Sequence, residues 1–161
     1  MLGSLLALLV SLALVGLTAS TGARFKPDDW YRKLDKPAWT PPDLAFPIAW
    51  GILYLLMAVA AWRIYMADDS VWRTASLWVY ALQLLANAAW SWLFFGRKQI
   101  VAALGDIALL LILILLAIFL FAKVSGLAAG LMVPYAFWVA LALTLNASIW
   151  RRNSRAGGAN K

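Results

Sequence analysis

Five runs of roughly twenty mostly apolar residues, separated by short polar breaks, set what this chain can become. A hydrocarbon layer about 30 Å thick is crossed by about twenty helical residues at 1.5 Å each. The runs are Leu2 to Thr21, Phe46 to Tyr65, Trp72 to Phe95, Ile100 to Ala122 and Leu127 to Trp150. Hydrocarbon offers no partner to a backbone N–H or C=O, so each run must satisfy its own backbone as a helix. The expected fold is an all-α membrane protein: a five-transmembrane-helix bundle with a structured first loop. It forms one domain over residues 1–152, and 153–161 read as a basic, disordered tail. No Lys or Arg precedes the first run, whereas a secretory signal starts basic. That run is therefore expected to be a retained helix, although Ala19 to Thr21 resembles a weak cleavage site.

Composition agrees. With 65% hydrophobic and 13% charged residues, the 161-residue chain has too little polar surface to cover a soluble globule. Cysteine, histidine and glutamate are absent, and all seven acids are aspartate. Those absences exclude disulfides, zinc clusters, a Ser-His-Asp triad, histidine-ligated haem and glutamate-driven antiport. The net charge of +7 does not indicate nucleic acid, because the basic residues flank the apolar runs. Arg24, Lys26, Arg32, Lys33, Lys36, Arg97, Lys98, Arg151, Arg152, Arg155 and Lys161 fall on one side of five spans; Arg63, Arg73 and Lys123 fall on the other. The positive-inside rule then puts the first loop and the C-terminus in the cytoplasm and the N-terminus outside.

The polar break between the first two runs is more than a connector. Trp30 to Pro42, WYRKLDKPAWTPP, holds three of the six prolines and two of the ten tryptophans. Pro37, Pro41 and Pro42 fix their own φ and push the preceding residue out of the helical region. A stiff, extended lid is expected, with a short helical turn at Asp28 to Leu34. Trp30 and Trp39 have amphipathic rings that settle where apolar and wet surfaces meet. They serve either as an interfacial anchor or, with Pro41 and Pro42, as the roof of a site.

Inside the runs, polar and aromatic residues fall on stripes. Gln83, Asn87, Trp90 and Phe94 are four, three and four apart, which is one helix face. An unpaired amide at mid-depth is costly, so these face the bundle interior, as interhelical hydrogen-bond glue or as recognition groups. Tyr135, Trp138, Ala142 and Asn146 form a second stripe, and Trp50 and Tyr54 share a face of the second run. Pro134 leaves the Gly130 carbonyl without its helical donor, so a kink beside Trp138 is expected. Aromatic walls with a few polar handles are the usual composition of a small-molecule site. Asp106 lies roughly 10 Å into the fourth run at 1.5 Å per residue. Two roles stand open for it: an ion pair reaching toward Arg97 or Lys98, and a part in proton movement. Gly126 and Gly130 make a G-x-x-x-G, a weak signal for helix association.

The loop closely resembles the signature of the translocator protein family, also called the tryptophan-rich sensory proteins (TspO/MBR), W-Y-x-x-L-x-K-P-x-W-x-P-P. Trp30, Tyr31, Leu34, Lys36, Pro37, Trp39, Pro41 and Pro42 stand at that spacing. Pro47, Trp50, Gln83, Asn87, Trp90, Phe94-Phe95-Gly96, Asp106, Val133-Pro134-Tyr135, Trp138 and Leu145-Asn146 resemble further family landmarks, over roughly residues 18–152. The resemblance implies a five-helix bundle, commonly dimeric, that binds porphyrins and related tetrapyrroles in a cavity under the first loop. In eukaryotic relatives it also implies cholesterol. By that resemblance Trp50, Asn87, Trp90, Trp138 and Ala142 are cavity walls. One motif departs: sterol-binding relatives carry a Tyr after the Leu-Asn pair of the last helix, where this chain has Ala147 and Ser148, so sterol is not expected as a ligand.

The function expected is an integral membrane tetrapyrrole-binding receptor, sensor or transporter of the bacterial inner membrane. Its ligand, protoporphyrin IX or a relative, is held by Trp50, Tyr54, Gln83, Asn87, Trp90, Tyr135, Trp138, Ala142 and Asn146. No cofactor, catalytic residue or metal is expected; the partners are membrane lipid and a second copy of the chain. Without His or Cys, recognition rests on ring shape and stacking. Two alternatives stand: light- and oxygen-dependent porphyrin degradation in the same cavity, its chemistry the pigment's own, and a scaffold whose aromatics only pack and anchor.

Overall fold

The computed structural model describes residues 2–158, with side chains through Ser154. Six helices follow in order: α1 (Leu2–Arg24), α2 (Asp29–Lys33), α3 (Ala45–Tyr65), α4 (Val71–Ser91), α5 (Ile100–Ala122) and α6 (Gly126–Gly158). No strand occurs among the described residues. Polar caps start α2, α4 and α6 where the sequence turns polar. Asp28 accepts from the Tyr31 N–H at 3.1 Å, Ser70 from that of Arg73 at 3.1 Å, and Ser125 from that of Ala128 at 3.3 Å. Pro47 sits in the first turn of α3, where a missing donor costs nothing.

The faces of the long helices show what surrounds them. On α5, Ala103, Ile107, Leu110, Ile114, Ala117 and Phe121 are buried at alternating spacings of four and three. The opposite face carries Val101, Leu109, Ile112, Leu115 and Phe119, all more than half exposed and all apolar. A helix apolar all round, with only one face packed on protein, belongs in lipid. Four helices, α1, α3, α5 and α6, are long and apolar enough to cross a membrane. The expected third span is not among those four. Helix α4, which carries Arg73, Gln83 and Asn87, is packed within the same bundle.

The helices close a ring: α1 packs on α4, α4 on α5, α5 on α6, α6 on α3, and α3 back on α1. Small side chains let α3 approach its neighbours, with Ala58 and Ala60 fully buried and Trp62 Nε1 donating to the Ser4 carbonyl of α1 at 3.0 Å.

Two expectations are corrected. The lid is not extended throughout: Thr40 N–H bonds the Pro37 carbonyl at 3.0 Å and Ala45 N–H that of Pro42 at 2.8 Å, giving two tight turns. The tail assigned to 153–161 continues α6 as helix to Gly158, and residues 159–161 lie outside the described part. Helix α6 is continuous through Pro134, which is exposed.

One feature was not expected. Helix α4 ends in a turn of π-helix, Trp92–Gly96, with Arg97 N–H on the Trp92 carbonyl at 2.7 Å. The following Lys98 adopts a left-handed φ of 56°. Gly96 is needed here, because a Cβ would come within 2.9 Å of the Phe25 ring and 3.2 Å of the Trp92 ring. Gly96→Ala should therefore push Phe25 off the turn and lower Tm by about 2–4 °C, the equivalent of about 1 kcal/mol. Gly51→Ala, in open space on α3, should leave Tm unchanged or raise it. Thermal unfolding in detergent compares the two.

Candidate functional site

The interior is built on one hydroxyl. Tyr135 of α6 is fully buried; its Oη donates to Gln83 Oε1 at 3.0 Å and accepts from Asn87 Nδ2 at 2.7 Å, both on α4. Tyr54 of α3 donates its own hydroxyl to Asn87 Oδ1 at 2.9 Å. The four residues form a continuous chain across α3, α4 and α6. Gln83 and Asn87 share a side of α4 because they are one turn apart, and the ring closure turns that side toward α6. Trp50 stacks on Tyr54 with centroids 5.3 Å apart and meets Tyr135 edge-on at 6.0 Å. Trp138 is met edge-on by Phe46 at 5.7 Å, and Ala142 packs against the same core.

A second cluster lies toward the lid. Trp90 stacks on Phe94 at 5.4 Å, Trp30 meets Phe94 edge-on at 5.9 Å, and Tyr31 touches both Phe94 and Phe95. The π-helical turn aims Phe94 inward, where it is 2% exposed. The Trp90 to Phe95 rings thus join the lid to the interior. Of the predicted lid residues only Trp30 reaches them. Trp39 is half exposed, Pro42 exposed and Pro41 half-buried, because the turn from Pro37 carries Trp39 around the outside. Asn146 is buried at 1% exposure, and neither of its amide atoms has a protein partner. The same is true of Gln83 Nε2 and of the indole nitrogens of Trp90 and Trp138.

The lid is held at both ends of α2. At its start, Asp28 pairs with Lys98 Nζ at 2.8 Å, and that ammonium also lies 5.8 Å from the Trp30 ring centroid. The Lys98 hydrogen bond, aided by the Tyr31 N–H, holds the Asp28 carboxyl below the usual carboxylate range. Beyond the end of α2, the Asn153 amide clamps the Asp35 backbone, accepting from its N–H at 3.1 Å and donating to its carbonyl at 3.0 Å; Arg152 reaches the Asp35 carboxylate at 3.4 Å. Beside this latch opens a cleft of about 510 Å³ lined by Asp35, Ser148, Arg151 and Arg152. The sequence singles out neither Asn153 nor Phe46, and Lys98 only as a partner for Asp106. Asn153 had a signal: it extends the α6 stripe of Tyr135, Trp138, Ala142 and Asn146 by seven residues, two helical turns. Asp106 is a further correction. It pairs with neither Lys98, which holds Asp28, nor Arg97, which lies over the Trp92 ring at 5.5 Å, and its Oδ2 is buried without a protein partner.

Apolar outer faces around a core of stacked rings and paired amides define an integral membrane helical protein with an aromatic, polar-handled interior. Its relatives agree with that class. The chain belongs to the TspO/MBR family, which matches residues 5–151. It is 39% identical over 145 residues to the tryptophan-rich sensory protein of Cereibacter sphaeroides, covering 90% of each chain. It is 40% identical over 154 residues to the tryptophan-rich protein TspO of Chlorobaculum tepidum, covering 92% of this chain and 95% of that one. Against the translocator protein of Sus scrofa it is 38% identical over 149 residues, covering 91% of this chain and 88% of the relative.

Tyr135→Phe strands Asn87 Nδ2 and Gln83 Oε1 together, whereas Tyr54→Phe removes one donor from Asn87 Oδ1. The first should lower Tm by roughly 4–8 °C and the second by less than half as much, read by thermal unfolding in detergent. The Asp28 link has a signed pH dependence. Its folded pKa is depressed, so its contribution is fully present above the ordinary Asp value, about pH 4, and is lost below that as pH falls through the lowered folded value. Amide exchange over residues 29–33, corrected for intrinsic rates, should be flat from neutral to pH 5 and rise below pH 4. Asp28→Asn, which keeps the helix cap, should exchange fast throughout.

Proposed function

We propose that the chain is a tetrapyrrole-binding receptor, sensor or transporter, holding a porphyrin such as protoporphyrin IX among the rings beneath the first loop. The observation that carries this is that Trp50, Trp90 and Trp138, from three helices, all pack against one core, with the buried indole N–H groups of Trp90 and Trp138 lacking protein partners. Flat rings recognise a flat macrocycle by stacking, and desolvated N–H donors and the Gln83 and Asn146 amides meet its polar edge. The rings pack on one another, so the macrocycle enters by parting them as the lid lifts. Lys33, Lys36 and Arg152 at the lid's rim attract propionates. Ala147 and Ser148, in place of the Tyr of the sterol-associated motif, speak against a sterol ligand.

In this proposal α4 is also a span, making five, with Ser76, Gln83 and Asn87 turned inward. The protein is a homodimer of the bacterial inner membrane, with the N-terminus outside and the lid and C-terminus in the cytoplasm, as the distribution of Lys and Arg favours.

Quenching of tryptophan fluorescence by protoporphyrin IX tests the site. The wild type should show saturable quenching that cholesterol does not compete away. Trp138→Ala combined with Asn87→Ala should weaken binding at least tenfold, about 1.4 kcal/mol. Equal, non-saturating partition into both proteins refutes the proposal.

A further inference from the structure

Outside the Tyr135 chain, six shielded polar atoms on α4, α5 and α6 have no protein partner; two, Ser76 Oγ and Trp138 Nε1, lie further along their helices, and the other four are Trp90 Nε1 on α4, Asp106 Oδ2 on α5, and Nδ2 and Oδ1 of Asn146 on α6. They share one level of the bundle. Trp90 lies seven residues before Arg97 and Asp106 seven after Gln99, so each is about 10 Å from the turn joining α4 to α5. Ala103, one turn from Asp106, packs in one cluster with Leu145, the neighbour of Asn146, and Trp90 lies at the edge of that cluster.

With no ligand bound, native interiors pair such atoms with protein or ordered water, and hydrocarbon supplies neither. The chemistry of this set is complementary. Trp90 Nε1 and Asn146 Nδ2 donate, while Asp106 Oδ2 and Asn146 Oδ1 accept. A small group that both donates and accepts, with two to four partners, matches it, and water is that group. No direct hydrogen bond links the three side chains. We propose that Trp90, Asp106 and Asn146 form one internal hydrophilic site between α4, α5 and α6 that holds water. Asp106 is thereby a polar foothold inside the bundle, not an anchor at its surface. Trp90 and Asn146 belong to the porphyrin site proposed above, so the water occupies part of that site in the ligand-free protein. The test is run without porphyrin, and its failure leaves the porphyrin reading standing.

The test uses the full chain in detergent micelles. Asp106→Leu and Asn146→Leu each strand the other's polar atoms, so each should lower Tm by about 5 °C. The double variant removes both sets and should lower it by clearly less than the two shifts summed. Asp106→Leu with Ser76→Ala is the control. The Ser76 hydroxyl is buried about 21 Å along α4 from Trp90, and its effect should simply add. Additive shifts for the Asp106 and Asn146 pair overturn the proposal. Infrared spectra of the single variants decide the matter if the double variant does not fold. The carboxyl bands of Asp106, identified by their loss in Asp106→Leu, should shift in both Asn146→Leu and Trp90→Phe. An O–H stretch lost in Asn146→Leu should move in oxygen-18 water. Carboxyl bands unmoved by both substitutions, or no such water stretch, overturn it.

Discussion

The Tyr135 hydroxyl, accepting from one amide of α4 and donating to another, is the interaction on which the arrangement of the helices depends. Its importance is set by cost more than by gain. A hydrogen bond between membrane helices contributes about 0.6 kcal/mol on average, but a buried polar group left unpaired costs about 1–3 kcal/mol. Sliding α6 by one turn against α4 would strand Asn87, Gln83 and Tyr135 together. Apolar packing tolerates such slips, since lipid tails and Leu side chains are equally good neighbours. Polar pairing does not, so a handful of atoms sets the register of helices whose surfaces are otherwise interchangeable.

The lid belongs to the same construction. Its short helix is tied at one end to Lys98 and beyond the other to Asn153, and its underside rests on Phe94 and Phe95. Phe94 in turn stacks on Trp90 of the interior. The ties are exposed and individually weak, whereas the aromatic contacts are buried. That division suits a cover that is held in place yet yields without disturbing the bundle beneath it. The π-helical turn is what makes the contact: an extra residue at the end of α4 carries the rings from one cluster to the other.

Much of this was legible in the chain itself. The ends of α3 and α5 fall within a residue of the apolar runs, and the Asp28 turn lies where a capping Asp precedes it. The face carrying Gln83, Asn87 and Phe94 is buried as its spacing requires. The misses share a cause. Prolines announced stiffness but not shape, so the lid was read as extended although Pro37 and Pro42 begin tight turns. Charge made residues after Arg151 look like a solvated tail, although Asn153 is docked on the loop 118 residues away in sequence. Asp106 was matched to its nearest cations along the chain, yet Lys98 is taken by Asp28.

The sequence by itself determined that the chain is helical, that it lives in lipid, and which side of each helix is polar. Those follow from local rules: a backbone bonded within its own segment, and a periodicity of 3.6 residues. Only the tertiary structure decided that Tyr54 and Tyr135 meet the same asparagine, that Trp50 stacks on Tyr54, and that the end of α6 holds the loop. Such pairings depend on distances between segments, and a local pattern, however regular, carries no information about which neighbour a face will meet.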